Sequence, residues 1–512
     1  MPRFSFVRKL LAAAVLVGAA DLLLYGMDPG STLGAFALLW VLVLAISRSS
    51  IRQRQARLAL AGAAGMALVL FDDPSLLGWA MFWMALTLAA LLPRHPFDDA
   101  FSWARRLVVH GLVGLIRPAR DLALLLKLRP GDGRLTLRSA IALLLLPVVG
   151  SIVFVALFAQ ANPLIGSALS RVKLPGFWLG LSHLLFWTAA LLVVWPSLRP
   201  HRLATRALTH FNMDRILPHV RLTSILLSLG SFNLIFAVQN VLDIVFLWSG
   251  AALPGSITMA DYAHRGAYSL IVTALLAGLF VLVVLRPGGE ATRSPWARWM
   301  VVLWTGQNIL LVASSMVRTI DYIEAYSLTV LRLAALAWMA LVAVGLALIC
   351  FRLLRGLSSR WLINSNAAAA VLVLTVASVV DLGAVAASWN VRHSKQGQVG
   401  THQIDLCYLA ALGPSALLPL VELHRRSGSP ELLDRTTHVL AETLTDVRRS
   451  QGDWRSWTWR NARRLDRAER ALLGQGLRTA TAPVGRSCDG RIIVPRPPTN
   501  NADQRLTGQA QQ

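Results

Sequence analysis

Apolar runs separated by short polar connectors occupy most of the chain up to about residue 390. Eleven of them approach the roughly 20 residues that an α-helix needs to cross the hydrocarbon core of a bilayer. The runs lie near residues 10–26, 32–47, 57–71, 75–93, 139–159, 177–197, 222–249, 267–285, 299–317, 327–351 and 366–388. This pattern predicts an all-α polytopic membrane helix bundle of about 11 transmembrane helices with a small helical C-terminal tail domain.

The same pattern divides the chain into five segments. We expect four transmembrane helices at residues 1–93, a basic amphipathic cytoplasmic loop at 94–138, a seven-helix membrane core at 139–388, a soluble helical tail at 389–482 and a disordered end at 483–512. Apolar periodicity predicts tail helices at Leu406–Leu423, Ser429–Val447 and 453–473. The disordered end is predicted from its polar, Pro-, Asn- and Gln-rich composition.

Composition and charge support the membrane assignment. The 512 residues are 55% hydrophobic and only 15% charged, although the net charge is +24. In a soluble chain that charge would indicate nucleic-acid binding, but here Lys and Arg lie mostly in the short connectors, where they set orientation. We therefore expect a bacterial inner-membrane protein surrounded by lipid and without a nucleic-acid partner.

The basic residues also predict an orientation. With the N-terminus in the cytoplasm, the inner connectors hold 27 basic residues and the outer connectors hold four. Inner connectors of membrane proteins are enriched in Lys and Arg, so this asymmetry favours a cytoplasmic N-terminus. An odd number of helices then places the tail outside the cytoplasm. The tail holds 18 basic residues, but long segments cross membranes largely regardless of charge.

The largest inner connector, residues 94–138, has an amphipathic pattern. Its apolar run from Leu107 to Ile116 is too short to span a bilayer and is flanked by arginines. We expect helices in the membrane interface, with Phe101, Trp103, Leu107 and Leu112 toward the acyl chains. The arginines would face anionic lipid headgroups.

Three ionisable residues lie inside the later apolar runs: Asp243, Arg332 and Asp381. Counted from the predicted helix ends at about 1.5 Å per residue, all three lie roughly 7–10 Å below the outer edge of the bundle. Buried charges are costly unless they are paired. The sequence therefore predicts an Asp–Arg–Asp cluster.

Polar side chains also share one face on two of the predicted helices. At about 100° per residue, each set falls within an arc of roughly 120°. The sets are Asn233, Gln239, Asn240 and Asp243 on the seventh helix, and Gln307, Asn308, Ser314, Ser315 and Arg318 on the ninth. We expect a polar seam whose outer mouth is ringed by Tyr262, His264, Arg265, Arg318, Asp321, Glu324 and Tyr326. Interhelical hydrogen bonds and a pocket or ion pathway both explain such a seam.

The cysteines and the short sequence motifs give little evidence of catalytic or metal-binding chemistry. Of the three cysteines, Cys407 and Cys488 lie in the tail, where an oxidising compartment would allow a disulfide. Two unpaired thiols are the alternative. No phosphate-binding, zinc or nucleophile motif occurs, so we expect no catalytic residue, metal or cofactor.

Three short elements resemble a known family. They are YAHRG at 262–266, AYSLTVLR at 325–332 and DLCYLAALGPSALLPL at 405–420. The chain resembles uncharacterised bacterial inner-membrane proteins of domain-of-unknown-function family 4173, with family 4153 as a close neighbour.

Single positions match or depart from the elements of that family. The matching residues are Tyr262, Ala263 and Gly266 in the first element, Ala325, Tyr326, Leu328, Thr329 and Arg332 in the second, and Asp405, Tyr408 and Leu409 in the third. His264 stands where the family has arginine, Ala267 where it has an aromatic residue, and Ser327 where it has glycine. The resemblance covers roughly residues 140–425 and implies the membrane architecture but no activity.

Three functions fit these observations. The first is a structural or signalling membrane protein that presents its tail to an extracytoplasmic protein. Trp454, Trp457 and Trp459 alternate there with arginines, which suits a membrane surface or an acidic partner, although packing in a small helical core fits equally well. The second is binding or transport of a small solute or ion through the seam. The third, less favoured because no nucleophile or metal set is present, is an outer-leaflet enzyme with Asp243 or Asp381 as general base.

Overall fold

The computed structural model describes residues 2–26, 28–47, 53–127, 177–200, 221–245, 294–394, 404–474 and much of 476–493, together with single residues 151, 276 and 280. Within these ranges the regular structure is helical apart from one isolated antiparallel bridge between Arg486 and Ile492. The chain forms two compact units, Met1–Asn212 and Met213–Gln512. The all-α prediction is therefore confirmed for the described residues.

The first unit packs around buried aromatic side chains. Its helices are α1 (Pro2–Leu24), α2 (Ser31–Ser47), α3 (Arg54–Asp72), α4 (Leu76–Leu91), α5 (Ala100–Lys127) and α6 (Phe177–Leu198). Trp40, Phe82 and Trp103 are each at most 2% exposed. The indole Nε1 of Trp40 donates a hydrogen bond to the Ser197 hydroxyl at 3.0 Å, so the one polar atom of this side chain is satisfied within the core.

Helix α5 differs from the predicted interfacial loop. Its exposed face is apolar, with Phe101 and Leu112 both more than 60% exposed, whereas Trp103 is buried against the core. Two arginines predicted to face headgroups are paired within the protein, Arg106 with Asp98 at 2.9 Å and Arg117 with Asp121 at 3.2 Å. The predicted direction of Trp103 is wrong because its ring packs into the hydrophobic core. The predicted direction of the two arginines is wrong because acids within and just before the helix bind their guanidinium groups.

The second unit contains the polar seam and the tail. Its helices are α7 (Leu222–Asp243), α8 (Pro295–Tyr326), α9 (Val330–Arg355), α10 (Ser359–Val379), α11 (Leu382–His393), α12 (Leu406–Ala411), α13 (Leu417–Arg426), α14 (Pro430–Gly452) and α15 (Trp459–Ala471), with a 3₁₀ turn at Gly413–Ala416. Helices α7 to α10 form a bundle through an apolar core that includes Leu229, Val301 and Leu346. Helices α11 to α15 enclose a second core.

Six of the described helices are long and apolar enough to cross a bilayer: α3, α6, α7, α8, α9 and α10. Helices α2 and α4 are apolar but shorter, at 17 and 16 residues. The predicted spans at 139–159 and 267–285 lie outside the described residues except for the single positions 151, 276 and 280. The structure thus supports a membrane-embedded protein, while the predicted number of about 11 helices stays a prediction.

The last predicted span, residues 366–388, is two helices rather than one. Helix α10 ends at Val379, and the Asp381 carboxylate caps α11 by accepting a hydrogen bond from the Ala384 N–H at 2.9 Å. A capping carboxylate satisfies a backbone donor that has no partner inside the helix, which is why an acid can stand within an otherwise apolar run. The prediction that Asp381 lies inside a span is therefore wrong.

Part of the predicted disordered end of the tail is ordered, and the third tail helix, predicted at 453–473, is shorter, at Trp459–Ala471. Ser429 caps α14 as expected by accepting from the Leu432 N–H. Residues 485–493 form a turn in which Ser487 N donates to the Arg491 carbonyl at 2.9 Å. Disorder from residue 483 is therefore wrong for 485–493, and residues 494–512 lie outside the described part of the chain.

Candidate functional site

The polar seam is formed by the facing sides of α7 and α8. The Asn233 side-chain amide donates to the Met300 carbonyl at 3.1 Å, and the Asn240 amide donates to the Gln307 carbonyl at 3.3 Å. Both contacts join residues 67 positions apart, so the two helices run in the same direction. The Gln307 amide in turn donates to the Asn233 side-chain oxygen at 3.2 Å. The predicted seam residues of both helices are thus in direct contact.

A buried ion pair stands at one end of the seam. The Arg318 guanidinium binds the Asp243 carboxylate, and their side chains are 7% and 1% exposed. Gln239 donates to the same carboxylate oxygen at 3.0 Å. This pairing neutralises both charges, as a low-dielectric environment requires.

The predicted Asp243–Arg332–Asp381 cluster does not form. The Arg332 guanidinium binds the backbone carbonyls of Tyr326 and Ser327 and lies 4.3 Å from the centre of the Tyr322 ring. Asp381 binds Arg464 instead. Asp381 lies at a break between two helices rather than within a continuous one, and the partner of Asp243 is Arg318, one residue beyond the end of the ninth apolar run.

Four acceptor oxygens in the seam lack a hydrogen-bond donor among the described residues. They are the side-chain oxygens of Asn240, Gln307 and Asn308 and the second carboxylate oxygen of Asp243. The amide orientations are fixed by the nitrogens: that of Asn308 donates to the Trp304 carbonyl at 2.8 Å, so a flipped amide would place oxygen against oxygen. All four atoms need donors or a cation rather than acceptors.

The second site is the tail junction, where the turn between α8 and α9 (residues 327–329) and the end of α10 meet α11, α12, the 3₁₀ turn and α15. The Asn390 side chain forms two hydrogen bonds with Leu328: its oxygen accepts from the Leu328 N–H at 2.7 Å, and its nitrogen donates to the Leu328 carbonyl at 2.9 Å. The Tyr408 hydroxyl accepts from the Val330 N–H at 2.9 Å. Two helices of the tail side thus satisfy backbone groups of the bundle.

The α8–α9 turn is itself braced by the second family-like element. Thr329 caps α9 by accepting from the Arg332 N–H at 3.3 Å. Ser327 has φ 70° and ψ 162°, a conformation accessible almost only to glycine. Arg332 donates to the carbonyls of Tyr326 and Ser327, which belong to the two peptide groups on either side of the Ser327 Cα. Arginine at this position therefore holds a strained turn. The resemblance implies glycine at position 327, and this backbone conformation favours glycine.

Asp381 joins the end of α10 to the tail. Its carboxylate accepts from the Ser415 hydroxyl at 2.9 Å and from the Ala384 N–H at 2.9 Å, and it pairs with Arg464 of α15. Burial alone would raise the pKa of Asp381, but the Ala384 N–H, the Arg464 guanidinium and the Ser415 hydroxyl together hold that pKa below its usual value of 3.8. The group is therefore a charged structural anchor.

A disulfide and two ion pairs hold the last turn of the tail. Cys407 on α12 is bonded to Cys488, as the sequence suggested for an oxidised tail. Arg435 on α14 binds Asp489 at 2.8 Å, and Arg486 binds Asp434 at 2.6 Å. Gly490 has φ 79°, and a Cβ there would lie 2.6 Å from the Arg435 carbonyl oxygen, so only glycine allows the turn to approach α14.

The predicted outer mouth is only partly described. Tyr262, His264 and Arg265 lie outside the described residues. Asp321, Glu324 and Tyr326 lie in the last turns of α8, and Arg318 belongs to the seam instead. Among the described residues, no group of three His, Cys, Asp or Glu side chains is placed to hold a metal ion.

Sequence reasoning missed three residues of the tail junction: Asn390, Ser415 and Arg464. Asn390 and Arg464 stand in amphipathic segments where polar residues are ordinary, so no local signal marks them. Ser415 lies within the third family-like element, which also carries Tyr408. The second and third family-like elements contain Val330 and Tyr408, which bind each other in the structure. These two elements were the one sequence signal that pointed to the junction.

Comparison with known proteins agrees with the resemblance seen in these elements. Residues 58–423 match the family described as a domain of unknown function (DUF4153). This match covers more than half of the chain, so the protein is a member of that family. No curated protein and no solved structure shows significant similarity to the chain.

Proposed function

We propose that the membrane bundle is a platform that holds the helical tail in a fixed orientation outside the cytoplasm, where the tail engages a protein partner. The observation that carries this proposal is the tail junction. Asn390 binds both backbone groups of Leu328, and the Tyr408 hydroxyl accepts from the Val330 N–H of the same segment. A tail joined only by a flexible linker would need none of these contacts.

The ion pair between Asp381 and Arg464 supports the same role. The Asp381 and Arg464 side chains are 15% and 12% exposed, so this pair is largely desolvated and holds α15 at a defined distance from the end of α10. The disulfide and the ion pairs of residues 485–493 further restrict the tail. A preorganised surface loses less entropy on binding a partner than a mobile one.

The proposal is tested with the double variant Asn390→Ala and Tyr408→Phe in the full-length protein. We expect normal membrane insertion, faster proteolysis of the tail, and loss of the cellular phenotype that the wild-type gene restores in a deletion strain. The matched control is Asn366→Ala, since the Asn366 amide binds only the Leu362 carbonyl of its own helix among the described residues. A junction variant that restores the phenotype fully despite a loosened tail would contradict the platform role.

A second candidate function is binding of a small polar solute or ion in the seam, and the four acceptor oxygens without donors favour it. An unsatisfied buried oxygen costs about 1–3 kcal/mol. If the seam is empty, Asn308→Leu should raise the melting temperature, because it removes such an oxygen while keeping the side-chain shape. If a solute, cation or ordered water binds there, the same change should lower it. Asn366→Leu is the control, because the Asn366 amide likewise donates to a carbonyl of its own helix, that of Leu362.

A further inference from the structure

Helix α15 is held against the end of the membrane-spanning helix α10. The Arg460 guanidinium donates to the Val379 carbonyl at 2.9 Å, and Arg464, one turn later, pairs with Asp381. Val379 is the last residue of α10, so the first turns of α15 lie at the level where that apolar helix ends. Val376 and Val379 are 52% and 49% exposed and would face lipid. Helix α15 is therefore adjacent to the bilayer surface.

The exposed side of this region is aromatic and basic. Trp459, Arg463 and Arg467 follow one another at four-residue intervals along α15, and all three are exposed. Trp454, in the loop before α15, is 57% exposed, and the Arg455 guanidinium lies 5.2 Å from the centre of its ring. Arg467 makes no ion pair with any described residue. The opposite side of the helix packs into the tail core through Ala468 and Leu472.

Tryptophan and arginine at this depth have complementary roles. Tryptophan side chains concentrate at the boundary between acyl chains and headgroups, because the ring is apolar and the indole N–H needs a polar partner. Arginine forms bidentate hydrogen bonds with phosphate oxygens. Exposed positions of α15 and of its preceding loop present both residue types, close to the end of α10 where Val376 and Val379 are exposed.

We propose that α15 and the loop before it form a lipid-binding surface. Trp454 and Trp459 would lie at the boundary of headgroups and acyl chains, and Arg463 and Arg467 would bind the phosphates of anionic lipids. A soluble acidic protein could pair with the arginines equally well. It would not explain why exposed tryptophans lie near the end of an apolar helix whose valines are also exposed. This surface is independent of any protein partner of the tail.

The test uses the full-length protein in nanodiscs of phosphatidylcholine, with and without phosphatidylglycerol. Amide hydrogen exchange of residues 453–473 should be several-fold slower in the anionic nanodiscs, and the difference should shrink at high salt because charge attraction is screened. The double variant Arg463→Glu with Arg467→Glu should lose the difference. Trp454→Ser with Trp459→Ser should exchange faster in both lipids. Residues 439–447 of α14 report whether each variant keeps the tail folded.

The matched control reverses two exposed arginines on other tail helices, Arg425→Glu with Arg449→Glu. This variant carries the same charge change and should keep the lipid-dependent protection. Equal exchange in the two lipids for the wild-type protein, or an equal loss in the control, would overturn the proposal. Protection that appears only when a soluble protein is added would assign the surface to a protein partner instead.

Discussion

At the scale of single residues, Ser327 is the clearest strained position. With φ 70° and ψ 162° it occupies a region that costs a non-glycine residue roughly 1–3 kcal/mol. We predict that Ser327→Gly stabilises the protein by about 1 kcal/mol, since the loss of strain exceeds the added freedom of glycine in the unfolded chain. Thermal unfolding in detergent should show a small rise in melting temperature. Ser427→Gly, at φ −62°, relieves no strain and should lower it.

The buried acid of α7 gives the second prediction at this scale. Asp243→Asn leaves Arg318 buried without its counter-charge, which should cost about 3–5 kcal/mol. Combining it with Arg318→Met should recover much of that loss, because both buried charges are then removed. A double-mutant cycle on melting temperature measures the coupling. Asp243→Asn and Arg332→Met should be additive, because Arg332 binds backbone carbonyls instead. Coupling to Arg332 rather than Arg318 would contradict the observed pairing.

At the scale of helices, the sequence predicts that a helix is present more accurately than it predicts where the helix ends. Apolar length was sufficient to locate α7 to α9, and helical phase was sufficient to place Asn233, Asn240 and Gln307 on facing sides. The break at Asp381 was missed because hydropathy averages over a window, whereas a helix end depends on one capping side chain. The partner of that acid, Arg464, lies 83 residues away. No periodicity reports a contact of that range, so the tail junction required the three-dimensional structure.

Asp381 also predicts how the attachment of the tail depends on pH. Its pKa is lowered in the folded protein, so the carboxylate contributes stability above the unfolded value near 3.8 and loses it as pH falls through the lower, folded value. Asp381→Asn should therefore cost about 2 kcal/mol at neutral pH. The difference from wild type should narrow below about pH 4. Glu422→Gln removes an exposed pair with Arg426 and should have little effect at any pH. A difference for Asp381→Asn that persists unchanged at low pH would exclude a charge-based role.

At the scale of the whole molecule, the position of the tail relative to the membrane decides what its surfaces can meet. The excess of basic residues in the connectors predicted to be inner, together with an odd number of transmembrane helices, predicts a tail outside the cytoplasm. The Cys407–Cys488 disulfide is consistent with that side, because thiols are kept reduced in the cytoplasm and disulfides persist outside it. These two observations are independent, since one concerns charge in the connectors and the other concerns the redox state of the tail.

We predict that alkaline phosphatase fused after residue 493 is active and that the same enzyme fused within the connector at 286–298 is inactive. Phosphatase needs its own disulfides and reports an oxidising compartment. Alkylation of the unfused protein from intact cells should modify two further thiols only after reduction. An inactive C-terminal fusion together with two freely alkylated thiols would place the tail in the cytoplasm. The tail would then meet cytoplasmic partners. The contacts of Asn390, Tyr408 and Asp381 would keep the same structural role, because they join the tail to the ends of the bundle helices whichever side of the membrane those ends face.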